Sequence, residues 1–182
     1  MKLQTRILAL IALSIGAIGC SSALTRHPAA AATATLMNAG GAPVGSVQLW
    51  QEAGGLVHVE VSATNLTTGA HGIHFHAVGR CEGGSTAFST AGGHYNPTNR
   101  EHGLQNSEGP HAGDAPNLQV GGDGSGHFSF TTDRVTLTPG STSLFDNDGS
   151  AIVIHATGDD QTSQPSGNSG ARVACGIVTA AP

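Results

Sequence analysis

Apolar residues recur at every second position from Leu56 to Ala63, where Val57, Val59 and Val61 alternate with His58, Glu60 and Ser62. Side chains along a strand point to opposite faces in turn, so this pattern buries one face of a sheet and leaves the other polar. A preceding segment, Gly45 to Glu52, is joined to it by Ala53-Gly54-Gly55, which predicts a hairpin. Strands begin near Ala34, and Leu118 to Val120, Gly126 to Thr132, Ala151 to His155 and Val173 to Val178 read as further ones. Only 10% of the 182 residues are charged and 27 are Gly, so short strands are separated by turn-forming clusters and no helix of useful length is indicated. About eight such strands predict an all-β sandwich or flattened barrel.

Between the strands lie two irregular stretches, Gly79 to Pro116 and Gly158 to Gly170. A long segment without regular structure inside a compact domain is usually functional, and something other than apolar burial must order it. The segment His71 to Val78 borders the first of them. Its alternation puts Ile73 and Phe75 on one face and His74 and His76 on the other, so two imidazoles point together.

The N-terminus has a different character. Lys2 and Arg6 precede an apolar run from Ile7 to Ile18, then Gly19-Cys20, the organisation of an export signal. The run is too short to span a membrane comfortably. Residues 1–19 therefore read as a signal peptide resembling a bacterial lipoprotein signal, with lipidation of the Cys20 thiol as the membrane contact. Residues 20–33, small and without periodicity, read as a flexible tether, and 34–182 as the folded domain. The chain is then exported and held at a membrane on its periplasmic or cell-surface side. With Cys20 so used, Cys81 and Cys175 can pair in an oxidising compartment and no thiol is left over. Removing residues 1–19 takes away Lys2 and Arg6 and moves the net charge from −5 to −7, which argues against nucleic acid as a partner.

Ten histidines are present, and six of them form three clusters with Asp114: His74 with His76, then His94, His102 and His111 ahead of Asp114, then His155 on a strand. Imidazole nitrogen suits copper and zinc, an Asp oxygen completes a tetrahedral zinc site, and none of these side chains is a soft thiolate. The chemistry favours a copper/zinc pair over an iron–sulfur cluster. His27, His58, His71 and His127 stand apart from this set. His58 and His127 alternate with apolar neighbours and are expected to face water.

The segments Gly69-Ala70-His71-Gly72-Ile73-His74-Phe75-His76, Gly93-His94-Tyr95-Asn96-Pro97, Glu101-His102-Gly103, Pro110-His111-Ala112-Gly113-Asp114, Val153-Ile154-His155 and Gly170-Ala171-Arg172-Val173-Ala174-Cys175-Gly176 together resemble the copper/zinc superoxide dismutase family. The resemblance runs from Gly69 to Gly176. It implies a Greek-key β-sandwich with a long metal-binding loop and a second, electrostatic loop, and it implies superoxide anion as substrate. Copper would be held by His74, His76, His94 and His155, and zinc by His94, His102, His111 and Asp114, the His94 ring bridging the two. The same likeness implies a Cys81–Cys175 disulfide, Arg172 as the guide for the anion beside copper, and Asp159 as a carboxylate joining ligands of both metals. His71 takes a structural part in the family. A homodimer is compatible with the resemblance, and the segment between Cys81 and His94 is longer than the eukaryotic pattern, as in the bacterial periplasmic branch.

A non-enzymatic copper or zinc carrier on the same fold is the competing expectation. Such relatives commonly lose copper ligands or the guiding arginine, whereas His74, His76, His94, His155 and Arg172 are all present here.

Overall fold

Strands β2 (Pro43–Gln51) and β3 (Val57–Ala63) form the hairpin that the alternation predicts. Val47 lies opposite Val61 and Leu49 opposite Val59, and all four are buried. The structure, a computed structural model, describes residues 30–83 and 86–182. Its other strands are β1 (Ala30–Asn38), β4 (Gly69–His71), β5 (Ile73–His76), β6 (Leu118–Val120), β7 (Gly126–Thr132), β8 (Ala151–His155), β9 (Arg172–Ile177) and β10 (Thr179–Ala180). A single 3-10 turn, Ser89–Ala91, is the one helical element among the described residues.

Eight strands make one curled antiparallel sheet in the order β5-β8-β9-β1-β2-β3-β7, with β10 also on β1, and β4 pairs with β6 separately. The chain is all-β, as its composition predicts. The main core gathers Leu36, Val47, Leu49, Ile73, Phe75 and Ile154 among others.

Two expectations change. The sheet starts at Ala30, so Ala30 to Thr33, assigned above to the tether, belong to β1 and pair with Gln51 to Gln48 of β2. A run of alanines has little strand preference of its own; what places it is the partner strand, against which Ala32 and Ala34 are buried. Cys20, residues 1–19 and the rest of the tether lie outside the described residues. The stretch His71 to Val78 is two strands rather than one, interrupted at Gly72, whose N–H donates to the Thr157 carbonyl.

Strand β8 is buried on both faces. Ile152 and Ile154 join the main core, while Ala151 and Val153 pack with Phe88, Ala91 and Cys175 in a second, smaller cluster. The loop after β5 thus covers the outer face of β5, β8 and β9, and the histidines lie on that covered face.

Candidate metal centre

Strand β5 is the end of the sheet, and the loop following it folds back to occupy its free edge. The Phe75 N–H donates to the Gly113 carbonyl (2.9 Å), the Tyr95 N–H to the Phe75 carbonyl (2.8 Å) and the Ala77 N–H to the Gly93 carbonyl (2.9 Å). These bonds set His94 beside His76 and Asp114 beside His74 across an isolated ladder. On its other side β5 pairs with β8, which carries His155. Residues up to 81 positions apart in sequence are brought together by ordinary strand pairing.

His74, His76, His94 and His155 form one group whose potential ligand atoms lie within 4.8 Å of one another. Each of the four rings has one nitrogen fixed by a hydrogen bond, that of His94 being Nδ1, 3.1 Å from Asp114 Oδ1. His74 donates from Nε2 to Asp159 Oδ2 (2.6 Å), His76 from Nδ1 to the Gly92 carbonyl (3.0 Å) and His155 from Nδ1 to the Gly170 carbonyl (3.2 Å). Those bonds select the tautomers. The remaining nitrogens, His74 Nδ1, His76 Nε2 and His155 Nε2, are buried without a protein partner, and so is His94 Nε2. Four buried lone pairs with nothing to bond to are unfavourable alone and suited to a cation that accepts nitrogen donors.

The second group is His94, His102, His111 and Asp114. Asp114 Oδ1 lies 3.1 Å from His94 Nδ1, 3.0 Å from His102 Nδ1 and 3.4 Å from His111 Nδ1, and the last two of those rings flank His94, whose Nδ1 is 3.4 Å from His111 Nδ1. A tetrahedron with zinc–ligand bonds of about 2.0–2.1 Å has edges of roughly 3.3 Å. The spacing therefore matches ligands around a zinc ion. Asp114 is further held through Oδ2 by the N–H groups of Gly103 (2.8 Å) and His111 (2.9 Å). His94 belongs to both groups, with Nδ1 in the second and the unpartnered Nε2 in the first.

Asp159 joins the two groups. Its Oδ2 accepts from His74 Nε2 and its Oδ1 from His102 Nε2 (3.1 Å). Although these three side chains are also close enough to surround a cation, both rings turn N–H donors to the carboxylate and keep their other nitrogens for the two groups described. The trio is a link between sites.

Residues 44–178 match the family described as copper/zinc superoxide dismutase. This chain belongs to that family. A copper-zinc superoxide dismutase 1 of Aquifex aeolicus (strain VF5) is 40% identical over 147 residues, covering 80% of this chain and 85% of that protein. The superoxide dismutase-like protein YojM of Bacillus subtilis (strain 168) is 41% identical over 145 residues, 79% of this chain and 73% of that protein. Among solved structures, a SOD-like protein from Bacillus subtilis aligns with a TM-score of 0.75 at 38% identity, covering 80% of this chain and 96% of that one. A Cu/Zn superoxide dismutase from Brucella abortus aligns with a TM-score of 0.68 at 29% identity, covering 81% and 98%. The family uses copper and zinc, and the donor sets fit: the all-nitrogen group could hold copper, and the three nitrogens with one carboxylate could hold zinc.

Electrostatics follow from the burial of these two groups. Desolvation lowers His74 from the ordinary imidazole value against the opposing bond to Asp159, and lowers His76 further, with help from His94. His94 is held at about 4 and His155 at about 3, burial again being the main cause. His102 is the exception. Burial would lower it, but its bonds to Asp114 and Asp159 outweigh that and raise it to about 9. Asp159 is also burial-penalised, yet the His102 and His74 bonds hold it below the usual carboxylate range.

Arg172 reaches the copper-type group through an irregularity that the residue pattern does not display. Cys175 pairs with Val153 and Ala174 with Ile154, so regular pairing would put Val173 opposite His155; a bulge puts Arg172 there instead. The guanidinium donates from Nη1 to the Phe88 carbonyl (2.6 Å) and from Nη2 to the Gly92 carbonyl (2.5 Å). Its charge contributes to lowering both His76 and His155. Cys81 and Cys175 form a disulfide with Cα atoms 5.7 Å apart, closing a separation of 94 residues. In the loop-entropy description such a closure contributes about 4–5 kcal/mol. It fastens the loop carrying Phe88 and Gly92 to the strand carrying Arg172.

Every site residue expected from the sequence falls in this region except Cys20, which is outside the described residues. His71 is buried and bonded to the His155 carbonyl (2.6 Å), a structural part. His127 is exposed, while His58 is partly covered, stacked on Trp50 at 5.0 Å and bonded to Glu52. Sequence reasoning missed Phe88, Gly92, Asn117, Gln161 and Gln164. The first two act through main-chain carbonyls, which no residue type advertises. Asn117 grips Asp159 at both main-chain groups, each at 2.8 Å.

Proposed function

We propose that this chain dismutes superoxide to dioxygen and hydrogen peroxide. The observation that carries the reading is the set of four buried, unpartnered ring nitrogens of His74, His76, His94 and His155 with the Arg172 guanidinium beside them. Bound copper supplies a one-electron Cu(II)/Cu(I) couple, so that one superoxide is oxidised to dioxygen and a second, with two protons, is reduced to hydrogen peroxide. The chain's own residues supply the rest. Arg172, always charged and anchored by two carbonyls, draws and orients the small anion without giving up a proton. His94 Nε2, buried and facing the copper group, is the ring atom suited to hold a proton and hand it on. Asp159 keeps the His74 and His102 rings turned so that one carboxylate orients ligands of both metals.

Catalysis is favoured over metal carriage because all four nitrogens and the arginine are retained. Metal-loaded protein is expected to dismute superoxide, and His155→Ala to abolish this while zinc binding largely survives. Full activity in His155→Ala removes the copper assignment; no activity in copper-loaded wild-type protein removes the enzymatic reading.

The N-terminal pattern supports a second part of the proposal: export, cleavage before Cys20 and lipidation of its thiol, holding the enzyme at a membrane. Mass spectrometry of the mature N-terminus is expected to find a diacylated or triacylated Cys20, and Cys20→Ser to release the protein into the soluble fraction. An unmodified N-terminus at another residue would reject it.

A further inference from the structure

Gln161 and Gln164 sit in the loop between β8 and β9, and both reach across to the segment that carries His102. Gln164, although exposed, grips His102 at both main-chain groups: its Oε1 accepts from the His102 N–H (2.9 Å) and its Nε2 donates to the His102 carbonyl (2.9 Å). Gln161 is buried. Its Oε1 accepts from the Leu104 N–H (3.3 Å), its carbonyl from the Gln105 N–H (3.1 Å), and its Nε2 donates to the carbonyl of Ala115, next to Asp114 (3.3 Å). The Gln161 N–H completes the arrangement by donating to Asp159 Oδ1 (2.6 Å).

Contact between the two segments is close. A Cβ on Gly103 would fall 2.1 Å from the Gln161 carbonyl oxygen, and Gly103 itself has φ +111°. Gln161 has φ 66°, a left-handed conformation that glycine adopts more easily than a long side chain does. A buried glutamine where the backbone favours glycine, with its side chain bonded across to Leu104 and Ala115, points to work done by that side chain.

Resting on the reading of His102 and Asp114 as zinc ligands, we propose that Gln161 and Gln164 are positioning residues of the zinc site, seating the His102–Gln105 segment so that His102 Nδ1 faces Asp114. The loop that borders Arg172 then becomes part of the zinc site's scaffold. Outer partners of metal ligands typically set metal affinity by about 10–100-fold.

The test is a zinc titration of metal-stripped full-length protein against a chromophoric chelator, with copper affinity and the thermal midpoint of the metal-free form measured alongside. Gln164→Met, which keeps the length and removes both bonds, and Gln161→Gly, which removes the side chain while relaxing the backbone, are each expected to weaken zinc binding about 10–100-fold. Gln164→Glu retains the acceptor and loses the donor, so it should fall between Gln164→Met and wild type. Thr162→Ala is the control, because its hydroxyl bonds only to Asp160 within the loop. Zinc affinity within error of wild type in both Gln164→Met and Gln161→Gly overturns the proposal, as does an equal loss in Thr162→Ala. Wild-type protein that takes up no zinc overturns the ligand reading itself, and this inference with it.

Discussion

His76 and Arg172 hydrogen-bond to one carbonyl oxygen, that of Gly92, the ring N–H at 3.0 Å and the guanidinium at 2.5 Å. One of the four clustered imidazoles and the residue proposed to meet the substrate are thus set by the same peptide group. Arg172 has a second anchor at Phe88, and its planar fork presents a separate nitrogen to each carbonyl, a fixed geometry that a lysine ammonium, with one nitrogen on a flexible stem, does not reproduce.

Arg172→Lys is therefore expected to lower kcat/KM by about tenfold or more even though the charge is kept. Copper content should stay near one per chain, because the His76 N–H retains the Gly92 carbonyl. Steady-state rates on copper-quantified protein check this, and a variant with wild-type kcat/KM would show that charge alone suffices.

Asp159 accepts one N–H from each side of the site, His74 at 2.6 Å and His102 at 3.1 Å. Asp159→Asn preserves shape but offers one oxygen and one NH2 group, so one imidazole meets a donor with its own donor and must turn or change tautomer. Zinc or copper affinity should fall by about 10–100-fold in a chelator competition. Unchanged affinity for both metals would mean that the carboxylate does not orient the rings.

Acid should destabilise the metal-free protein well before carboxylates titrate. His94 and His155 stay neutral in the folded chain down to about 4 and about 3, whereas in the unfolded chain they take up protons below their ordinary 6.5. Across that interval the unfolded state binds more protons, so stability rises with pH and is lost as pH falls from 6.5 toward 4. His102 acts in the opposite sense on the alkaline side: raised to about 9, it contributes stability that is complete below 6.5 and lost as pH climbs through 9. Urea titrations of the metal-free protein should place maximal stability near neutrality. Equal or greater stability at pH 5 than at pH 7 would contradict this.

The strands and the ligands were legible for different reasons. Val57, Val59 and Val61 announce their face by alternation, and β6, β7 and β8 begin and end where their residue patterns predict. The histidines announce themselves by chemistry, since few roles demand so many imidazoles beside one aspartate. Alanines at Ala30 to Thr33 announce nothing, because their partner strand places them. The bulge that turns Arg172 toward His155 is equally silent: Arg172 and Cys175, three residues apart, would alternate to opposite faces in a regular strand. Gly92 and Phe88 contribute carbonyls that every residue possesses. Gln161 and Gln164 are unremarkable polar loop residues until the fold brings them to His102.

Charge makes the last prediction. The chain's single lysine is Lys2, and loss of residues 1–19 would leave a net charge of −7, which repels superoxide at long range. Attraction is expected to be local: Arg172 is half-buried beside the His76 and His155 rings, whereas Arg100 and Arg134 line a different cleft with Thr98, Pro110 and Thr142. Raising ionic strength from 0.01 M to 0.15 M shortens the screening length from about 30 Å to about 8 Å. That weakens the diffuse repulsion more than the contact with a guanidinium at the site. The value of kcat/KM should stay level or rise modestly over this range. A fall of about tenfold would instead require cations arrayed around the entrance, as in steered enzymes whose association rates drop steeply with salt.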